Sequence, residues 1–395
     1  MLNPYENINL SNVERIQSIS HQHLSHTSDA LTQSTFDTIY ATGVRHFAIS
    51  RYRPSLITYP FDYTNNTFVY VNNPFDSKDD IETLKENYSC TVHTENDVVG
   101  SPNAEHIYPL LYFNGAWNKW SNVHINGIGS TFESGLVPDQ DSGYGNSGVE
   151  IPYSNAITTI LDSLQFADSG GVIINHPYWT NNNKHFDFDI SRFIKDCLDY
   201  DSRVLGTDII SDGRQNALEY ESNLIDNVLS TGRRCWIFCQ GDWNLKRGRN
   251  ELLIPSGLSR TEKEHACLKA YRDGAFFGRF GNSNLSITSV GYANNTFTMT
   301  AANADGVNVV IDGVETEHIG NSVSVPVPNT AKYVRAYAYI DRDDDPDWEY
   351  GETDIYKDIV FTNPIMINPV EYSYTPAYDS MPIKNIPKKR FWLWG

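Results

Sequence analysis

From residue 15 to about residue 280, short apolar runs alternate with polar segments long enough to form helices, the rhythm of repeated βα units. Arg15–Ser20 reads as the first strand and Arg45–Ser50 as the second, after the stretch Phe36–Ala41. Gly170–Ile174, Ala217–Tyr220 and Cys235–Cys239 follow in order, while residues 53 to 150 are loop-rich and fix no strand order. Near residue 283 the rhythm changes. Leu285–Val290, Thr296–Thr300, Val307–Ile311, Ser322–Val327 and Tyr333–Tyr339 are short alternating runs separated by Asn, Asp and Gly turns, the pattern of a small β-sandwich. Residues 369 to 395 carry Pro, Lys and aromatics without periodicity and read as a docking tail.

The chain has 395 residues, too many for one ordinary small domain, and its 40% hydrophobic and 13% aromatic content is enough to bury a core. Lys and Arg number 30 against 49 Asp and Glu, a net charge of −19. That field repels phosphate backbones and anionic lipid, so neither nucleic acid nor a membrane surface is an expected partner. The two dense basic clusters, Lys246-Arg247-Gly248-Arg249 and Lys388-Lys389-Arg390, read as a solvated loop and tail. The first seven residues lack the basic start and apolar run of a secretory signal, and no stretch approaches the ~18 apolar residues of a membrane span. A cytoplasmic or phage-assembly location is the expectation. Five scattered cysteines make no disulfide framework, and Cys235 and Cys239, about 13 Å apart on one face of an extended strand, read as buried thiols rather than zinc ligands.

Polar clusters recur just after the apolar runs: His21-Gln22-His23, Arg51-Tyr52-Arg53, His176-Pro177 and Gly241-Asp242. In a βα barrel that position is the C-terminal rim, where loops assemble active sites. Two imidazoles at i and i+2 beyond a strand end face one side and can ligate one metal, although such a pair alone does not establish it. His26 is either a further polar group of the same site or a loop residue. His46, His93, His185, His265 and His318 read as surface or satisfied core residues.

Taken together, these segments resemble the PHP (polymerase and histidinol phosphatase) superfamily of metallohydrolases, in particular the carbamate-hydrolase-like branch with a C-terminal β-domain. The opening from Asn3-Pro4-Tyr5-Glu6 to His21-Gln22-His23 and Ser28-Asp29 is similar to that branch's first motif. Ser101-Pro102-Asn103-Ala104-Glu105 resembles its glutamate motif, His124-Ile125-Asn126 its next histidine motif, and Gly170 to Pro177 gives the best match. Ala217-Leu218-Glu219-Tyr220, Gly241-Asp242 and Arg272 to Phe277 then fall in the expected order, so the resemblance spans the chain to about residue 367. It implies an α/β fold: a distorted (βα)7-type TIM-like barrel over residues 1–283, a β-sandwich over 284–368 and a tail over 369–395.

The resemblance also implies a ligand set. His21, His23, Glu105 and Asp242 would hold one divalent metal, and Glu105 would bridge to a second held by His124 and His176. A carboxylate between two cations offsets their repulsion and favours a shared hydroxide as nucleophile. Zn, Mn or Fe suits this mixed shell. The departures concern the family's third metal: Ile49-Ser50-Arg51-Tyr52 stands where an Asp and a His are expected, and Asp242-Trp243-Asn244 replaces Asp-x-His. Two metals are therefore expected. Arg51 near the vacated site either binds a phosphate or carboxylate oxygen or is an ordinary surface residue.

The resulting expectation is a metal-dependent hydrolase in which metal-bound hydroxide attacks a phosphoester or other ester, with Arg51, His26, Asn244 or the Lys246–Arg249 loop orienting substrate. Two alternatives stay open. One is a degenerate pseudoenzyme binding a saccharide or anion, with Tyr108, Tyr112, Trp117 and Trp120 either stacking on sugars or packing internally. The other is a structural component of an assembly. The acidic run Asp341 to Asp347 reads as a solvated turn rather than a calcium loop.

Overall fold

A computed structural model describes residues 1–22, 40–48, 50, 99–101, 103–106, 110–113, 116–119, 124–130, 137–138, 145–146, 153–162, 164–177, 190–210, 223–242, 248–341 and 357–370. The first half contributes β1 (Val13–Ile19), β2 (Val44–Phe47), β3 (Val99–Gly100), β4 (Asn103–His106), β5 (Leu110–Phe113), β6 (Ala116–Lys119), β7 (His124–Ile128), β8 (Val137–Pro138) and β9 (Gly145–Asn146). Helix α1 (Tyr153–Asp162), β10 (Gly171–Asn175), α2 (Ile190–Tyr200), β11 (Val204–Ile210), a helix α3 over 223–229 and β12 (Trp236–Cys239) follow. Next come β13 (Gly248–Pro255), α4 (Arg260–Asp273), β14 (Phe276–Phe280), β15 (Ser286–Ala293), β16 (Thr296–Ala302) and β17 (Gly306–Ile311). The last strands are β18 (Val314–Ile319), β19 (Ser322–Pro326), β20 (Tyr333–Asp341), β21 (Lys357–Thr362) and β22 (Ile365–Met366).

The expected (βα)7 TIM-like barrel is not what forms. A barrel of that kind needs each strand parallel to its neighbours through helical crossovers. Here a ten-stranded sheet runs β18-β17-β20-β21-β14-β13-β1-β2-β3 with β22 beside β20, and a separate five-stranded sheet runs β12-β11-β10-β7-β4. Among the described strands, parallel pairing is confined to β1-β2-β3 and β10-β11-β12. The joints β1–β13, β13–β14, β4–β7 and β7–β10 are antiparallel, so the molecule is a mostly β protein of mixed, open sheets with four helices among the described residues. An apolar period sets where a strand lies and which face it buries, but not the direction of its neighbour.

Covered faces explain the long apolar runs. All five residues of β10 are buried. Val172 and Ile174 join one apolar cluster with Ile157, Ile160, Phe193, Ile194, Ile225 and Val228 of α1 to α3, whereas Ile173 joins another with Leu268 and Tyr271 of α4. With both faces covered, no polar alternation is needed. Helix α4 begins where the Glu262 carboxylate accepts from the Ser259 N–H at 2.8 Å, and it ends at Gly274, whose φ of 75° is the left-handed conformation glycine adopts freely.

In the C-terminal part, β15, β16 and β19 form a three-stranded sheet whose inward Ile287, Phe297, Met299 and Val323 pack with Val307, Val309, Val334, Ala336 and Val360 of the large sheet. β21, beyond residue 283, is the hydrogen-bonded neighbour of β14, which precedes it. A buried ion pair adds a link to α3: Arg335 donates to both Asp226 oxygens at 2.8 and 2.7 Å, and the Tyr333 hydroxyl donates to the same carboxylate at 2.6 Å.

Candidate metal centre

The two sheets meet at their strand ends. An isolated parallel bridge pairs Gln22 with Asp242, and the Asp242 N–H donates to the His21 carbonyl at 3.0 Å. On the other side of the β1 end, the Ser50 N–H donates to the Gln22 carbonyl at 3.1 Å and the Gln22 N–H to Ser50 Oγ at 3.2 Å. The ends of β1, β2 and β12 are thereby stitched into one corner, and β4, β7 and β10 bring their own residues to it through the five-stranded sheet.

Beneath this corner lies a layer of buried amides where a packed domain ordinarily has aliphatic side chains. Asn103 donates to the carbonyls of Ser20 and Ala48, both at 2.8 Å, and Asn126 donates to Ser50 Oγ at 2.6 Å and Asn103 Oδ1 at 3.1 Å. Asn175 donates to Asn126 Oδ1, and Asn250 donates to Ser20 Oγ at 2.9 Å while accepting the Cys239 N–H at 3.0 Å. Four of these residues stand one or two positions from a site residue: Asn103 from Glu105, Asn126 from His124, Asn175 from His176 and Ser20 from His21. Because residues i and i+2 of a strand share a face, the amide layer fixes the height and direction of Glu105 and His124 directly.

Above the layer, one ligand nitrogen each of His21, His124 and His176 lies within 4.8 Å of the others. Glu105 Oε1 sits between two of them, 3.3 Å from His21 Nε2 and 2.8 Å from His124 Nδ1, and Asp242 Oδ1 is 3.6 Å from His21 Nε2. His21, Glu105 and His176 are fully buried and Asp242 nearly so; the His124 side chain keeps 14% exposure. His21 Nδ1 faces Gln240 Oε1 at 3.1 Å, a contact that turns Nε2 toward the carboxylates. His176 and Asp242 have φ of 34° and 48°. Left-handed backbone at a non-glycine costs about 1–3 kcal/mol and persists only where the surroundings impose it, as they do at ligand clamps.

Burial by itself would lower the His21 pKa, but the charges of Glu105 and Asp242 outweigh it and raise the value to about 9. At neutral pH the imidazole therefore carries a proton in the place where a cation would neutralise the same carboxylates. Three imidazoles with adjoining carboxylates are a donor set suited to Zn, Mn or Fe.

The structure brings together five of the six expected ligands: His21, Glu105, His124, His176 and Asp242. The sixth, His23, and the expected substrate-orienting residues His26, Arg51 and Asn244 lie outside the described residues, as do Tyr108, Trp120, Ala217–Tyr220, Lys246 and Arg247. Tyr112 and Trp117 are opposite each other in the β5–β6 pair. Arg249 is not part of a solvated loop, contrary to expectation. It lies in β13, 4% exposed, and donates to Asn282 Oδ1 at 2.9 Å and to the Gly281 carbonyl at 3.2 Å. Ser50, in the stretch that stands where the resembled motif has an Asp and a His, is a hydrogen-bonding part of the amide layer.

Two buried groups escaped the sequence reading. Gln240 directly follows β12 and carries no motif of its own. Asp208 lies in β11, a strand that was not singled out; its signal is an isolated acid inside the run Val204-Leu205-Gly206-Thr207-Asp208-Ile209-Ile210. Burial pushes the Asp208 pKa up, opposed by the nearby His176 N–H and the His21 charge, and among the described residues neither carboxylate oxygen has a partner in hydrogen-bond geometry.

No family model matches the chain, and no curated protein or solved structure matches it. No helix among the described residues is long and apolar enough to cross a membrane.

Proposed function

We propose that the chain is a metal-dependent hydrolase of the PHP kind, cleaving a phosphoester or another ester at a centre that holds two divalent cations, Zn, Mn or Fe. One observation carries this reading: three histidines from three different strand ends converge to within 4.8 Å, with the Glu105 carboxylate shared between two of them. Residues 21, 105, 124, 176 and 242 are far apart in sequence, and the order of their motifs supports the kinship even though the barrel it implied is absent.

Bound cations supply Lewis acidity toward an ester oxygen and lower the pKa of water, which imidazole and carboxylate alone do not achieve at neutral pH. The protein's own contribution is positioning. Gln240 orients His21, the amide layer holds Glu105 and His124 on one face, and the left-handed backbone at His176 and Asp242 turns both side chains into the corner. His124, the partly exposed member, marks the side from which a substrate reaches the centre.

The test is elemental analysis of the protein purified without added metal and again after incubation with Zn2+ or Mn2+, beside His176→Ala, followed by assay with p-nitrophenyl phosphate and bis(p-nitrophenyl) phosphate. About two cations per chain, fewer in the variant, with metal-dependent turnover, is the expected result. No cation above background after incubation refutes the reading and leaves a metal-free binding module.

A further inference from the structure

Among the described residues the centre has one buried acid that neither the sequence motifs nor the histidine cluster accounts for. Asp208 is fully buried, neither of its carboxylate oxygens has a partner in hydrogen-bond geometry among the described residues, and it lies beside the His176 N–H, close enough to His21 and Asp242 for their charges to act on it. Its place in the sheet explains the proximity: β11 runs between β10, which leads to His176, and β12, which leads to Asp242, and Asp208 is in register with Phe238.

An ionised carboxylate in that position is costly unless a cation or donors compensate it. Protonation does not remove the difficulty, because a neutral carboxyl there would leave its own O–H donor without an acceptor. A cation answers both objections at once. We propose that Asp208 is a further ligand of the centre, supplying a carboxylate oxygen to the cation held by His21 and Asp242; the assignment rests on the metal-centre reading above. The histidine-rich side, Glu105 with His124 and His176, would then differ from an acid-rich side formed by Asp208 and Asp242, which gives the harder oxygen donors to one cation.

The full chain, stripped with chelator, is titrated with Mn2+ and with Zn2+ by calorimetry, and its thermal unfolding is followed with and without metal, in the wild type and in Asp208→Asn. Asn keeps the shape and removes the charge. The expected result is the loss of about one cation per chain, or at least about ten-fold weaker binding at one site, while the metal-free variant unfolds at the same temperature as wild type or higher, since an uncompensated buried charge has been removed. A variant that binds both cations as wild type does would overturn the assignment and leave the metal centre standing. So would a metal-free variant that melts lower or fails to fold, because the carboxylate would then be supporting the fold. A wild-type chain that binds neither metal removes the centre itself, and the role of Asp208 with it.

Discussion

In the metal-free protein His21 should couple stability to pH in a direction that metal binding reverses. Its pKa, about 9 in the folded chain against an ordinary 6.5, means that the folded state holds a proton the unfolded state gives up. The stabilisation is complete below pH 6.5 and is lost as pH rises through about 9. The difference between the two pKa values, at about 1.4 kcal/mol per pH unit, amounts to roughly 3 kcal/mol. The assay is urea unfolding of chelator-treated protein at pH steps from 6 to 9.5, with His21→Gln alongside. The wild type should lose that stability relative to the variant across the window, and the two should run parallel above it. A ligand cation must displace the same proton, so affinity for Mn2+ or Zn2+ should climb with pH up to about 9 and then level off. A wild-type curve that tracks the variant throughout would refute the electrostatic account of Glu105 and Asp242.

Two other residues give independent checks. His46 is fully buried between Ser18 Oγ at 2.6 Å and Ser101 Oγ at 2.8 Å, and burial lowers its pKa to about 3. Its neutral form stabilises the fold above pH 6.5, and up to about 5 kcal/mol should be lost as pH falls toward 3; acid unfolding that is unchanged in His46→Gln would contradict this. Gln240→Leu removes the acceptor that orients His21 and should weaken cation binding about 10- to 100-fold at constant stoichiometry, measured by calorimetry, with wild-type affinity as the refuting result.

Much of the strand inventory was legible because apolar periodicity reports burial directly. Arg15–Ser20, Gly170–Ile174 and Cys235–Cys239 fall on β1, β10 and β12, and Thr296–Thr300, Val307–Ile311 and Tyr333–Tyr339 fall on β16, β17 and β20. β18 was not anticipated because its Val314-Glu315-Thr316-Glu317-His318-Ile319 is an edge strand, largely exposed and rich in charge. β13 was obscured by the basic residues that lead into it; Arg249 is buried through hydrogen bonds that its sequence neighbours do not reveal.

By itself the sequence determined where chain segments are extended, which faces they bury, and which polar residues stand just beyond their ends, His21, His176 and Asp242, whereas Glu105 and His124 were marked only by the motif resemblance. Those properties follow from local periodicity and residue chemistry. Only the tertiary structure decided the direction of pairing, and with it the replacement of a barrel by mixed open sheets, because hydrogen-bonded strands of either sense carry the same apolar pattern. It alone decided that Asp208 stands beside the described histidines, and that four asparagines form the floor beneath them. A carboxylate or an amide acquires its role from the groups that replace its water, and those groups come from other strands, 55 residues away for Asn103 and Ala48 and 230 for Asn250 and Ser20.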